Sequence, residues 1–376
     1  MDNRLKKFLS SYDELYVPSL DDRIREFTHK RVVIYGAGSF GIYIYKILKE
    51  HGIAVEAFLD QAAPPGAVTC GVMTSVANSP LLDTTWKKQV TVVLALSKDY
   101  ISKREVIASI TACGFDNVID AQSIRCFDVT FDNKGEPINP KRYVERMTDN
   151  IYKALDLLSD DESREIYVQN VISHLGRDYS NCIESVGVKQ YFPVLPRTKG
   201  YSRFIDCGGY TGDTITNLIK EASVDAIASF EPNAELFSTL SRTVDTMRKV
   251  VPEVYLYPCA VSDKTSISKF ILDGGSSRLT DSESGVYVQS VAIDDVLKGF
   301  KPTFIKMDIE GAEPYAIIGA KYTIQEHVPD LAISVYHNIN HLWDIPLLIN
   351  CLADYDMYLR VHSSYTMETI LYGVAK

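Results

Sequence analysis

The chain has 376 residues, long enough for two or three domains, and is 46% apolar and 23% charged, which is globular rather than disordered composition. Its 49 acidic against 39 basic residues leave a net charge of −10, which repels phosphate backbones and counts against nucleic-acid binding. Seven scattered cysteines argue against a disulfide framework or a structural zinc site, and neither a secretory signal nor an apolar run of roughly 20 residues is present, so a cytoplasmic protein with no membrane span is expected.

In chain order, the first strand is RVVIY at 31–35, which breaks at Gly36-Ala37-Gly38-Ser39-Phe40-Gly41. A helical pattern (IYIYKILKEHG) leads to a second strand, AVEAFLD, ending at Asp60. A loop after the turn at 64–66 precedes the strand VTVVLAL at 90–96, a helix over 101–113 and a short strand around FDNVID. Strand–helix–strand alternation of this kind makes a parallel sheet with right-handed crossovers. Residues 125–195 then carry apolar positions at helical spacing and much charge, as connecting helices do. From 203 the alternation resumes with RFIDC, AIASFEP, VYLYPCAV, TFIKMDI and DLAISVYH. The closing runs MYLRVHS and TILYGVA are separated only by SYTME, which makes them an antiparallel hairpin at the edge of an otherwise parallel sheet.

The segment Phe204-Ile205-Asp206-Cys207-Gly208-Gly209-Tyr210-Thr211-Gly212 runs a strand into a glycine turn and then a helix. Gly208, Gly209 and Gly212 let the backbone turn tightly and approach a ligand. Asp206 stands where a carboxylate can meet the amino-acid ammonium of S-adenosylmethionine, which suits that donor better than the pyrophosphate of NAD. The next strand ends in Glu231-Pro232, with Glu231 19 residues after Gly212, where an acid grips a ribose diol in nucleotide-binding folds. The strand TFIKMDI then delivers Lys306, Asp308, Glu310 and Glu313 to the carboxyl edge of the sheet, where open α/β sheets bind ligands. Glu310 and Glu313 equally suit capping of the next helix, and Lys306 equally suits a structural pair with a neighbouring acid.

Taken together, FIDCGGYTGDT, FEPNAELF, CAVSD, SVAIDDVL, FIKMDIEGAE and AISVYHN…LWDIP resemble the FkbM family of methyltransferases over residues 188–376, including the lead-in Gln190-Tyr191-Phe192-Pro193. The similarity is greatest to the branch found in polysaccharide and glycan biosynthesis. The resemblance implies methyl transfer from S-adenosylmethionine to a hydroxyl of a sugar, glycan intermediate or related metabolite. It also implies donor-site roles for Asp206, Gly208 and Glu231, with Asp263 facing the adenine. The chain departs from that branch at Thr211 and His341, where an acid is frequent.

The expected architecture is therefore α/β. A smaller N-terminal Rossmann-like domain over 1–124 and a helical connector over 125–195 precede a class I (Rossmann-like) methyltransferase sheet with an antiparallel edge hairpin over 196–376. A hydroxyl is a poor nucleophile at neutral pH, so a base or a metal must assist it. His337, at the end of the strand next in order, is the leading base, with Asp308 and Glu310 beside it. Mg²⁺ held by Asp308 and Glu310 is the less favoured alternative, and no metal ligand is assigned. His337 and His341 lack the intervening Glu of a zinc protease helix. Arg278, in the loop beginning at Gly274, suits an anionic acceptor or a solvated loop.

The N-terminal Gly36-x-Gly38-x-x-Gly41, with Asp60 19 residues beyond Gly41, fits a dinucleotide fingerprint. It supports the rival reading, an NAD(P)-dependent oxidoreductase. Residues 29–122 also resemble the small Rossmann-like domain preceding some sugar-modifying acyltransferases, which implies a nucleotide-linked sugar as ligand. The remaining partners expected are a small-molecule or glycan acceptor, with room for a homo-oligomer.

Overall fold

The computed structural model describes residues 2–12, 20–96, 103–121, 140–176, 189–193, 195, 199–271, 278–279, 285–363, 366 and 368–376. The chain divides into two compact units, one of Met1–Leu9, Asn139–Val171 and Ile183–Lys376, the other of Ser10–Ile138 and Ile172–Cys182.

After α1 (Asn3–Ser10), the second unit runs α2 (Leu20–Arg25), β1 (Arg31–Tyr35), α3 (Ser39–Glu50), β2 (Val55–Leu59), β3 (Val68–Thr69), β4 (Val72–Ser75), α4 (Thr84–Gln89), β5 (Val90–Leu94), α5 (Lys103–Ala112) and β6 (Asn117–Asp120). Its six strands lie in the order β3-β4-β2-β1-β5-β6, parallel except for the β3/β4 hairpin. β1 is apolar from Val32 to Tyr35 because that stretch is covered on both faces: Val32 and Ile34 join Phe27, Ile44 and Phe58, while Val33 and Tyr35 join Leu59, Ile110 and Phe115. The stretch after Asp60, expected as a loop, contains the hairpin. Cys70 (φ 52°) and Gly71 (φ 80°) make its two-residue turn in the left-handed region that short hairpins require.

The other unit contains α6 (Pro140–Asp156) and α7 (Asp161–Gly176), the latter crossing the division between units. Then follow β7 (Arg203–Cys207), α8 (Asp213–Glu221), β8 (Ala226–Phe230), α9 (Ala234–Asp245), β9 (Glu253–Tyr257), β10 (Ala260–Val261), β11 (Ser266–Ile271), β12 (Arg278–Leu279), β13 (Val286–Val291) and α10 (Ile293–Val296). The chain continues with β14 (Phe304–Met307), α11 (Glu313–Ile318), α12 (Lys321–His327), β15 (Asp330–Ser334), α13 (His341–Asn350), β16 (Tyr355–Val361) and β17 (Thr369–Ala375). Seven strands form one sheet in the order β16-β17-β15-β14-β7-β8-β9. β17 is antiparallel to both β15 and β16, as the short SYTME link predicts, and the other neighbours are parallel.

VYLYPCAV does not stay in one strand. β9 ends at Tyr257, Pro258 removes a backbone donor and constrains its neighbour, and β10 joins a separate four-stranded sheet in the order β10-β13-β11-β12. The helical connector is tied to the edge strand. Ser159 N donates to the Met357 carbonyl (2.8 Å), and the amide of Leu359 donates to Ser163 Oγ (2.8 Å). Arg360 donates to Asp160 Oδ2 at 2.6 Å, and Tyr143 of α6 packs against the buried Trp343 of α13.

Strand order reverses between β14 and β7, because the chain steps outward from β7 to β8 and β9 and then returns to its other side. Such a reversal opens a crevice at the carboxyl ends of the strands. Directly across it, Lys306 of β14 is in register with Asp206 of β7, and their side chains form an ion pair of 3.1 Å at 3% and 0% exposure. Removing one partner leaves a buried charge uncompensated. Lys306→Met should therefore lower stability by about 3–5 kcal/mol in urea unfolding, and the double variant with Asp206→Asn should recover part of that loss.

Candidate active site

The glycine turn after β7 is built by close approach. Gly208 sits at φ 86°, and a Cβ there would lie 2.0 Å from the Asp308 carbonyl oxygen. A Cβ on Gly209 would meet Ser229 Oγ at 2.3 Å, while Gly212 (φ 84°) starts α8 from a left-handed conformation. The amides of Gly208 and Gly209 both donate to the Phe230 carbonyl (3.0 and 2.9 Å), which stitches the turn to the end of β8. Lys306 Nζ adds a hydrogen bond to the Gly208 carbonyl at 2.7 Å. Burial disfavours the Lys306 charge, but Asp206 and then Asp308 more than compensate and raise its pKa; burial also pushes the Asp206 carboxyl up.

Glu231, just beyond β8, is fixed by two backbone donors. Its Oε2 accepts from Tyr210 N (3.0 Å) and its Oε1 from Asn233 N (2.8 Å). Burial raises its pKa, and these two amides oppose the rise.

On the other side of the crevice, Asp308 follows β14. Its Oδ2 accepts from the Tyr191 hydroxyl at 2.5 Å and its Oδ1 from the Tyr336 hydroxyl at 3.2 Å. His337, following β15, lies among three carboxylates. Nδ1 is 2.9 Å from Glu313 Oε1, and Nε2 is 3.4 Å from Asp308 Oδ1 and 3.6 Å from Glu310 Oε2. Burial alone would lower the His337 pKa; Glu313 first, then Asp308 and Glu310, raise it to about 10. Glu313 is fully buried at the first turn of α11, where it also accepts the Ile309 amide at 2.9 Å. Against the upward push of burial, His337 and His341 hold its pKa at about 2. His341, whose Nδ1 is 3.5 Å from Glu313 Oε2, is pushed down to about 4 by burial and remains neutral.

These pieces enclose a cleft of about 310 Å³ at the carboxyl ends of β7, β8 and β14. Of the residues expected from sequence, Gly208, Glu231, Pro232, Lys306, Asp308 and Glu310 line it. Asp206 lies beneath the turn on Lys306, Gly209 and Gly212 pack inward, and His337 stands behind Asp308 rather than in the lining. Asp263 is exposed and outside the lining, where Cys259, Ala260 and Val261 stand instead. Arg278 belongs to β12; its side chain and residues 272–277 lie outside the described residues.

Sequence reasoning missed Tyr191, Tyr336, Gln190, Glu368 and Asp213, all of which line the cleft. Tyr336 had a signal in its position beside His337. Gln190 and Tyr191 had one only as part of a motif whose place in space the sequence leaves open. In the second unit, Gly36, Gly41 and Asp60 meet at the ends of β1 and β2. A Cβ on Gly41 would collide with the Gly36 carbonyl oxygen at 1.8 Å, whereas one on Gly38 meets open space. Asp60 accepts from the amides of Ala37 and Ala62, both at 2.9 Å.

Comparison with known proteins adds a family to this geometry. Residues 206–362 match the family model described as the methyltransferase FkbM domain. No curated protein matches the chain. Among solved structures, the fold is shared with the crystal structure of methyltransferase FkbM from Methylobacillus flagellatus KT, at a TM-score of 0.71 and 22% identity over 98% of each chain. The span matched by the methyltransferase FkbM domain model, residues 206–362, contains the glycine turn, Glu231 and the Asp308–His337 cluster.

Proposed function

We propose that the cleft binds S-adenosylmethionine and that the protein transfers its methyl group to a hydroxyl oxygen of a sugar, glycan intermediate or related metabolite. The observation that carries this reading is the charge of the lining. Asp213, Glu231, Asp308, Glu310 and Glu368 line the cleft, and its ammonium group, on Lys306, is already paired with the buried Asp206. S-adenosylmethionine bears a sulfonium and an ammonium against one carboxylate, so it suits such a surface. The pyrophosphate of a nicotinamide dinucleotide would be repelled by it.

In this reading Glu231, held by two amides, turns its remaining lone pairs to the ribose hydroxyls. The donor ammonium falls to carboxylates of the lining, because Asp206 is buried and paired. The acceptor hydroxyl lies beside Asp308, among the polar groups of Gln190, Tyr191, Tyr336 and Glu368. Its oxygen forms the new O–C bond as the C–S bond breaks. The bonding pair passes to sulfur, leaving S-adenosylhomocysteine, and the proton goes to Asp308 or Glu310. Alignment of the two reactants is the main source of rate, about 7–11 kcal/mol in well-oriented cases. His337 is unsuited to the role of base because the three carboxylates around it favour its protonated form. With no metal bound, it acts instead as the cation that balances them.

Calorimetric titration should give saturable binding of S-adenosylmethionine and S-adenosylhomocysteine and none of NAD; binding of NAD alone would replace this reading. Glu231→Ala should weaken S-adenosylmethionine binding by roughly tenfold or more, about 1.4 kcal/mol. Asp263→Ala, on an exposed side chain outside the lining, should leave the affinity within about twofold. With whichever hydroxylated acceptor a tritiated-methyl screen returns, Asp308→Asn should lower kcat by roughly 10²–10⁴ while donor affinity changes little.

A further inference from the structure

We propose that Asp308, Glu310 and His337 form a binding site for a divalent first-row transition metal at the floor of the cleft, with Glu313 orienting the imidazole. Two chain segments converge there: the connection after β14, which carries Asp308 and Glu310, and the residues after β15, which carry His337. The distances carry the argument. Nε2 of His337 stands 3.4 Å from Asp308 Oδ1 and 3.6 Å from Glu310 Oε2. Charge-assisted hydrogen bonds from nitrogen to carboxylate are shorter, about 2.7–2.9 Å. Two ligand atoms, each about 2.1 Å from a tetrahedral ion, are about 3.4 Å apart.

A second observation points the same way. The His337 side chain is only 7% exposed, and its buried Nε2 makes no hydrogen bond of acceptable geometry although two carboxylates face it. Buried polar atoms are rarely left so. On the opposite side of the ring, Nδ1 likewise makes no hydrogen bond of acceptable geometry but stands 2.9 Å from Glu313 Oε1, close enough for that carboxylate to orient the imidazole once Nε2 holds a metal. Asp308 is held on both oxygens, Oδ2 by the Tyr191 hydroxyl at 2.5 Å and Oδ1 by the Tyr336 hydroxyl at 3.2 Å, and Oδ1, with a lone pair remaining, is the oxygen turned toward the histidine.

One imidazole and two carboxylates suit manganese, iron or zinc; magnesium and calcium prefer oxygen alone. The ion would bind Nε2 as the ring proton leaves to solvent. Asp308 and Glu310 line the cleft, so the ion is within reach of a bound molecule. On the methyl-transfer reading, on which this role rests, it would bind the acceptor hydroxyl and lower its pKa, which assists proton loss in place of a carboxylate acting alone.

The test is a titration of the chelator-treated full chain with Mn²⁺, following the electron paramagnetic resonance signal of the free ion, with a parallel calorimetric titration with S-adenosylmethionine. The expected result is one Mn²⁺ per chain, displaced by Zn²⁺ and bound at least tenfold more weakly by His337→Gln and by Glu310→Gln. Both variants are checked for cooperative urea unfolding, and the partly exposed Glu310 is the one least able to disturb the fold. Absence of saturable Mn²⁺ and Zn²⁺ binding by the parent chain, or binding that both substitutions leave unchanged, overturns the site. Metal binding without S-adenosylmethionine binding would keep the site and sink the methyl-transfer reading.

Discussion

Lys306 and Asp206 meet across the point where the sheet reverses its strand order, and most of the cleft depends on that pair. Burying two full charges is unfavourable unless each satisfies the other and finds further partners. Here the ammonium also reaches the Gly208 carbonyl at 2.7 Å, which ties the glycine turn of one strand to the side chain of the next. The turn in turn receives the Asp308 backbone so closely that only glycine fits at 208. One ion pair thus aligns the two strand ends that carry the donor side and the acceptor side of the crevice.

Around this fixed centre the electrostatics are lopsided by design of the lining. Glu313, Asp308 and Glu310 surround a single imidazole, and the cleft beyond them is acidic. Such a surface selects for a cationic ligand and stores a demand for positive charge close to the reacting atoms. Whether that demand is met by a ring proton or a metal ion changes the chemistry available to a hydroxyl but not the reason that the carboxylates are there.

Some of this was legible in the residues. The glycine turn and Glu231 were found because backbone crowding admits few residue types, and their spacing follows from strand–helix–strand geometry. The edge hairpin was legible from a five-residue link. The separate sheet holding β10 was not, since VYLYPCAV is apolar enough for a single strand and only Pro258 marks the break. The sequence also showed His337 at a strand end without showing what surrounds it. Glu313 reaches Nδ1 only because Glu310 (φ 56°) and Gly311 (φ 101°) both adopt left-handed backbone, which turns α11 back toward the cleft. The direction of the exposed Asp263 was likewise a property of a loop that no periodicity constrains.

The attachment of α6 and α7 to β16 has a consequence for how the unit that holds the cleft can be separated from the rest of the chain. The amide of Leu359 and the carbonyl of Met357 satisfy themselves on Ser163 and Ser159, so the outer rim of the seven-stranded sheet is closed by residues that precede the family-matched region by some forty positions. A fragment begun at residue 196 would keep every residue of the cleft from Gly208 onward yet bare that rim, together with the ring of Trp343 that Tyr143 covers. Unpaired strand edges recruit other strands. Such a fragment would lose Gln190 and Tyr191 from the site and gain a tendency to self-associate, which makes the helical segment a solubility element as much as a connector.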